Sequence, residues 1–335
     1  MKNTFPTLGV IGGGELARMC VAPAAALGVD LLIYASVLND SAAQICNHEI
    51  GSYKDLDAIR KFAKKCDLIT FVNDFIPLSI IRAIEADGVV VRPSSAALEL
   101  SQNKEALWLK LVDKPGSEFK EKTAKTLIEQ PLEIDYEITS IVARSPHGQA
   151  TTWSATMDVQ KDGISVMSIA PVPKLSQDLS ERVQKMALEI AEIVGVVGVA
   201  AVEMFVKQDE IFINEIVMGP HNSGLWTIEG ARTSQFEQHL RAVLDLPLGD
   251  PTMTAPFAVV GNLLVGKKLG DKKIDMYRPY LHLMARTPGL KFHQYGNEVS
   301  PGQKVGHITL LGESLEDLTN EIQHAIDYMS GEIDE

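Results

Sequence analysis

Two glutamates carry the clearest chemical signal in this chain. Glu203 and Glu215 lie on either side of Gln208-Asp209-Glu210. If residues 196–206 and 211–217 are the arms of a hairpin centred on Asp209, the two acids face each other on one side of it. Their neighbours Ala201, Val202, Phe205, Ile213 and Ile216 are apolar, which shields at least one carboxylate from water. Two shielded carboxylates repel, so one takes up a proton unless a cation bridges them. Mg2+ favours oxygen ligands combined with nucleotide phosphates, and this pair with adjacent Asn214 offers such oxygens. Two glutamates on a solvent-facing strand are the plain alternative. The segment Gly219-Pro220-His221-Asn222-Ser223-Gly224 follows at once. Small polar residues leaving a sheet edge suit a ligand-holding loop, and suit an ordinary turn equally well.

A second candidate sits near the start. Gly12, Gly14 and Ala17 match G-x-G-x-x-[G/A] between a strand at residues 8–11 and a helix carrying Leu16, Met19 and Cys20. Such a turn leaves amide N–H groups free near a helix N-terminus, a natural anion site, although a tight turn without a ligand reads the same way. A dinucleotide fold places an acid at the end of the second strand. Tyr34, Ala35 and Ser36 occupy that position, which argues against NAD.

These residues need elements to hold them. Strands at residues 8–11, 31–34, 67–71 and 88–91 alternate with helices at 56–64 and 78–86, the pattern of an N-terminal parallel α/β domain over residues 1–100. After residue 137 the pattern becomes α+β. Strands at 138–145, 150–159 and 163–170 precede a helix with Val183, Met186, Ala187, Ile190, Ile193 and Val194 on one face. Ser234 and Glu237 have capping-box spacing and open a helix bearing Phe236, Leu240 and Val243. Pro247, Gly249 and Pro251 mark a boundary, and a small β-rich C-terminal domain closes with a helix from Ser314 to Met329.

Composition narrows the function classes. The 335 residues are 45% hydrophobic and 22% charged, with a formal net charge of −13. That balance lacks the basic footprint of a nucleic-acid binder. The apolar stretch 19–38 is broken by Pro23, Gly28 and Asp30 and does not read as a membrane span. Cys20, Cys46 and Cys66 form no CxxC pair, as expected of reduced thiols in a cytoplasmic protein.

Longer motifs add a family. Asn214-Glu215-Ile216, Pro220-His221-Asn222-Ser223-Gly224, Trp226-Thr227 and the run Ser234-Gln235-Phe236-Glu237-Gln238-His239-Leu240-Arg241-Ala242 resemble the signature of N5-carboxyaminoimidazole ribonucleotide synthetase. Gly12-Gly13-Gly14 with Leu16, Arg18 and Met19, Ser168-Ile169-Ala170-Pro171, and Lys304-Val305-Gly306-His307 resemble further segments of it, in order along nearly the whole chain.

The resemblance implies an ATP-grasp architecture and a homodimer. It implies a ligase of purine biosynthesis that uses ATP, Mg2+ and bicarbonate, through carboxyphosphate, to carboxylate aminoimidazole ribonucleotide. The implied layout is a Rossmann-like domain at residues 1–100, a lid and hinge at 101–145, the ATP-grasp core at 146–246 and a C-terminal domain at 247–335. By the same resemblance Glu203 and Glu215 hold Mg2+ with Asn214 in support, and Lys104, Glu129 and Glu137 contact ATP. His221, Asn222 and Ser223 line the reaction centre, and Gly13, Gly14, Asp74 and Lys304 meet the substrate.

Some positions depart from the family pattern. The central lid, with a second lysine and a GGxDGKG loop in the family, is truncated here to residues 112–125. Family acids after the third strand read Val72-Asn73-Asp74, and a Glu and a His of the central strands read Met157 and Gln160. The arginine before the His-Asn-Ser-Gly loop is replaced within Val217-Met218-Gly219, and the histidine after it is Leu225. Three basic positions associated with the substrate phosphate read Asn297, Ser300 and Gln303, leaving Lys304. A non-catalytic relative that binds nucleotide weakly or acts as a structural, dimerising protein is the alternative these changes leave open.

Overall fold

The computed structural model describes residues 5–113, 134–161, 164–266, 277–297, 300 and 302–333. The first four strands are β1 (Thr7–Ile11), β2 (Asp30–Ala35), β3 (His48–Ile50) and β4 (Leu68–Phe71), all parallel in the order β3-β2-β1-β4. Leu8, Val10, Ile11, Ile33, Ile69 and Phe71 are fully or almost fully buried, as strands covered by helices on both faces require. The connecting helices are α1 (Glu15–Leu27), α2 (Leu56–Ala63) and α3 (Leu78–Ala86). α1 ends where Gly28 takes the left-handed conformation (φ 71°) and α2 starts where the Asp55 carboxylate accepts from the Ala58 amide.

The expected strand at residues 88–91 shrinks to a single bridge between Val91 and Ile69. Arg92 turns directly into Pro93, which has no N–H to continue a ladder. α4 (Ser95–Gln102) and α5 (Lys104–Val112) follow, each capped by the side chain before it, Ser94 and Asn103.

The second layer is one long antiparallel sheet. Its strands are β5 (Tyr136–Arg144), β6 (Ala150–Thr152), β7 (Thr156–Lys161), β8 (Ile164–Ala170), β9 (Gly198–Lys207), β10 (Glu210–Met218), β11 (Phe257–Leu264), β12 (Lys291–Gln294) and β13 (Lys304–Gly312). Among the described residues the order is β10-β9-β5-β7-β8-β11-β13-β12, with β6 beside β5. The strand expected at 150–159 is therefore two strands. Trp153 breaks it by turning inward, where its indole N–H donates to the Thr233 carbonyl at 3.0 Å. The C-terminal strands continue the central sheet through the β8–β11 pairing. α6 (Gln177–Val194) covers one face with Val183, Ala187, Ile190 and Val194. A short helix α7 (Thr227–Gly230) and α8 (Gln235–Val243) cover another part, α9 (Tyr277–Arg286) follows β11, and α10 (Leu315–Ser330) packs Ile322 and Ile326 against β11 and β13. No described helix is long and apolar enough to cross a membrane.

His239 on α8 joins the two sheets. Its ring is fully buried, Nδ1 accepts from the Val199 amide of β9 at 3.1 Å, and Nε2 lies 2.8 Å from Thr70 Oγ1 of β4. Because Nδ1 accepts, Nε2 carries the proton and donates to Thr70. Burial pushes this imidazole down to about 3. An unfolded histidine protonates near pH 6.5, so the neutral buried form favours folding fully above that pH and progressively less below it. Urea unfolding at pH 7.5 and 4.5 should show a His239 contribution lost on acidification of about 2–3 kcal/mol. His239→Gln should be less stable at pH 7.5 yet lose that share of the acid sensitivity; an unchanged pH profile would show that the ring is not held neutral.

Candidate active site

The antiparallel sheet gathers polar side chains on one face. Glu137 and Thr139 of β5, Thr156, Asp158 and Gln160 of β7, Ser168 of β8 and Glu203 of β9 share it, because alternate residues of a strand point the same way and paired residues point together. The expected encounter of Glu203 with Glu215 is present, by a different route. The hairpin turn uses Gln208 and Asp209, both at positive φ (49° and 62°). From that turn Ile213 pairs with Met204, a register that taken further would set Asn214 against Glu203. A β-bulge at Asn214 shifts the register by one, and Glu215 lands opposite Glu203.

Neutralising groups crowd around the pair. Lys104, at the first turn of α5, reaches Glu215 Oε2 at 2.9 Å and the Asn214 carbonyl oxygen at 3.1 Å. The Asn214 amide in turn donates to Glu203 Oε2 at 3.2 Å, and His221 Nε2 stands 3.5 Å from Glu203 Oε1. These partners do not offset the local negative charge. Burial first, then Glu215, Asp158 and Glu137, raise the Glu203 carboxyl to about 7. Glu137, bonded to Gln160 at 3.0 Å, is also raised, by burial and by Asp158.

Asp158 is the acid that the sequence reading missed. It accepts hydrogen bonds from the hydroxyls of Ser168 and Ser223, so it ties the central sheet to the His-Asn-Ser loop. Ser223 Oγ lies 3.1 Å from His221 Nδ1, and burial holds that imidazole below its ordinary range against the pull of Asp158 and Glu215. The signal for Asp158 was its alternation with Thr156 and Gln160, which marks the polar face of β7. The loop itself is braced by Gln235, whose carbonyl oxygen accepts from the His221 amide at 2.9 Å and whose amide donates to the His221 carbonyl at 2.6 Å.

The carboxyl ends of β1 and β4 close the opposite side, as parallel α/β sheets place their ligands. Gly12 sits at φ 118° beside Asn73, and the Gly13 amide donates to the Tyr53 hydroxyl at 3.3 Å. Gly14 precedes α1 without a capping side chain. Asp74 accepts from Ser101 at 2.9 Å and lies close enough to raise the His221 imidazole. Lys304 enters from β13, donates to the Asn222 carbonyl oxygen at 3.0 Å, and is lowered to about 8 by burial, with Glu15 and Asp158 opposing. Contacts thus link Lys104, Asn214, Glu215, Glu203, His221 and Ser223 in one network, with Asp74 near His221 and Lys304 on Asn222. Glu137 stands two residues from Thr139, the partner of Glu203, and Glu129 and most of the lid lie outside the described residues.

Comparison with known proteins agrees with this architecture. Residues 5–102 match the ribonucleotide synthetase preATP-grasp domain, 110–236 the ATP-grasp domain, and 258–321 the phosphoribosylaminoimidazole carboxylase C-terminal domain. An N5-carboxyaminoimidazole ribonucleotide synthase of Mycobacterium tuberculosis is 37% identical over 379 residues, covering 97% of this chain and 88% of the relative. That of Corynebacterium ammoniagenes is 30% identical, covering 97% and 92%. The crystal structure of the Thermus thermophilus synthetase superposes with a TM-score of 0.83 at 27% identity over 97% of this chain and 99% of its own. The Aspergillus clavatus enzyme in complex with ADP and 5-aminoimidazole ribonucleotide gives 0.83 at 26% identity over 99% and 100%. The M. tuberculosis alignment is longer than this 335-residue chain, so it contains positions that this chain lacks. With the three domain matches in order and this identity over nearly its full length, the chain belongs to the N5-carboxyaminoimidazole ribonucleotide synthase family of ATP-grasp ligases.

Proposed function

We propose that this protein carboxylates 5-aminoimidazole ribonucleotide with bicarbonate, using ATP through carboxyphosphate and releasing ADP, phosphate and N5-carboxyaminoimidazole ribonucleotide. The observation that carries the reading is the Glu203–Glu215 pair on the bulged hairpin, met by Lys104, Asn214 and His221. The donor set fits Mg2+. Glu203 and Glu215 would hold it with the Asn214 carbonyl oxygen, and the raised Glu203 carboxyl marks negative charge that a divalent ion would offset. Among the described residues no group of three or more His, Cys, Asp or Glu forms a cage of its own. Ligands completed by nucleotide phosphates suit Mg2+, which keeps few protein oxygens. Bound there, the ion would screen the phosphate charges.

The protein's own groups then divide the work. Lys104 would meet the ATP phosphates and Glu137 the nucleotide. Asp158 and Gln235 fix Ser223 and His221 from two sides, which orients the loop at the reaction centre. Gly13, Gly14, Asp74 and Lys304 would hold the ribonucleotide.

One observation favours a second reading, a non-catalytic relative. The M. tuberculosis alignment includes positions missing from this chain, and the residues at the expected cation positions bond to each other or to the backbone. Ser300 donates to Gln303 at 2.7 Å and Asn297 to the Lys304 carbonyl at 3.2 Å. We place the protein in the cytoplasm, where its free cysteines Cys20, Cys46 and Cys66 would stay reduced. A homodimer would cover the grooves beside α1 lined by Val21, Ala25 and Ile45.

Three sets of measurements test these statements. ATP hydrolysis at high enzyme concentration should rise at least tenfold with 5-aminoimidazole ribonucleotide; no turnover by folded protein selects the non-catalytic reading. Glu203→Gln should abolish Mg2+-dependent nucleotide binding in calorimetry. The same change should stabilise the metal-free protein at pH 8 by up to about 3 kcal/mol. The sign follows because a carboxyl raised from 4.5 to about 7 favours folding at low pH and loses that contribution as pH rises through 7. In sedimentation, the parent chain should be a dimer and Ala25→Arg a monomer; equal masses would remove α1 from the interface.

A further inference from the structure

The hairpin of β12 and β13 carries a stack of rings beneath Lys304 whose task the reaction does not name. The Lys304 ammonium lies 5.5 Å from the centroid of the Tyr295 ring, within cation–π range. Tyr295 is fully buried, and its hydroxyl meets His307 Nδ1 at 2.8 Å. Its backbone is pinned as well, by N–H donation to the Val305 carbonyl at 2.9 Å and by the Ser41 hydroxyl on its carbonyl. His307 is fully buried too and stacks on His293, with ring centroids 4.5 Å apart and planes 13° from parallel. His293 Nε2 ends the series 2.6 Å from Glu229 Oε1 on α7.

Both ends of this series grip the same stretch of chain. Lys304 holds Asn222, and His293 holds Glu229, seven residues further along. The hairpin has the close approach this requires, since a Cβ on Gly306 would fall 2.5 Å from the His293 carbonyl oxygen.

We propose that Tyr295 and His307 are positioning residues that seat the Lys304 ammonium against Asn222 and so set the affinity for the anionic part of the second substrate. Tyr295 supplies the aromatic face, His307 fixes the hydroxyl and thereby the ring, and the His293–Glu229 pair anchors the far side. This rests on the reading above that Lys304 binds the ribonucleotide.

Calorimetric titration of the full chain with 5-aminoimidazole ribonucleotide tests both statements, because it reads binding whether or not turnover occurs. Lys304→Met should weaken binding at least tenfold; an unchanged Kd would end the assignment of Lys304 itself. Given that loss, Tyr295→Leu should weaken binding about tenfold, the scale of a desolvated cation–π contact. Adding Lys304→Met to it should cost clearly less than Lys304→Met costs alone. Tyr295→Phe, which keeps the ring but gives up the hydroxyl that His307 holds, should fall between Tyr295→Leu and the parent chain, as should His307→Asn. Lysine-labelled spectra guard against simple misfolding. The Lys304 methylene signal, assigned by its absence in Lys304→Met, should keep its ring-current shift in Tyr295→Phe and lose it in Tyr295→Leu. Full affinity or a retained shift in Tyr295→Leu would overturn the positioning role.

Discussion

Two carboxylates forced face to face set the terms for the rest of this molecule. The bulge at Asn214 puts Glu215 opposite Glu203 on neighbouring strands, where like charges destabilise a sheet. The surroundings answer in three ways. Lys104 arrives from α5 with a full positive charge, Asn214 lends one amide hydrogen to Glu203, and Glu203 is driven towards its neutral form. Even so Asp158 and Glu137 stand on the same face and add to the load. A fold selected for stability alone would not collect four acids there. The arrangement makes sense as a site whose charge is completed by a ligand.

The architecture follows from presenting that face to the N-terminal strands. At the end of β10 the chain must pass close under β4. Gly219 permits this, with φ at 97° and no Cβ, which would stand 3.1 Å from the Val72 backbone. Deeper in, His239 ties Thr70 of β4 to Val199 of β9, so the first sheet and the long sheet meet through hydrogen bonds as well as apolar packing. These two contacts join β4 and the residue after it to the long sheet. The mobile-looking composition of the His-Asn-Ser-Gly loop is deceptive, because Gln235, Asp158 and Lys304 each hold it.

Much of this was legible in sequence because local chemistry decided it. Ser234 accepts from the Glu237 amide, as their capping-box spacing indicated, and Ser314, expected to start the last helix, accepts from the Asp317 amide. The hairpin was legible from two apolar runs around a polar turn. Its register was not. Counting from a turn at Asp209 paired the two glutamates correctly for the wrong reason, since the turn is centred between Gln208 and Asp209 and the bulge restores the match. Asp158 stayed hidden because alternation with Thr156 and Gln160 marks only a polar strand face, and its role shows once Ser168 across the strand and the loop hydroxyl of Ser223 are in place. Lys104 and Glu215 are far apart in sequence, and no periodicity links them. The break at Trp153 was missed because 150–159 reads as continuous strand until the indole finds its distant acceptor at Thr233.

The two lysines of the cleft are held in parallel but unequal ways, and this bears on what the site has kept. Each donates to an asparagine carbonyl oxygen, Lys104 to Asn214 and Lys304 to Asn222. Lys104 also meets a carboxylate, so much of its charge is spent on Glu215. Lys304 rests on neutral partners, an amide oxygen and an aromatic face, and its ammonium has three donors to offer. It is half-buried, and desolvation already lowers its proton affinity, so a bound anion would gain more there than at the open surface and would draw the proton back. The neutral residues Asn297, Ser300 and Gln303 bond to each other and to the backbone, and bring no second positive charge. The Glu203–Glu215 end therefore keeps an excess of acids, while at the other end Lys304 is the cation beside Asn222, with an aromatic ring beneath it.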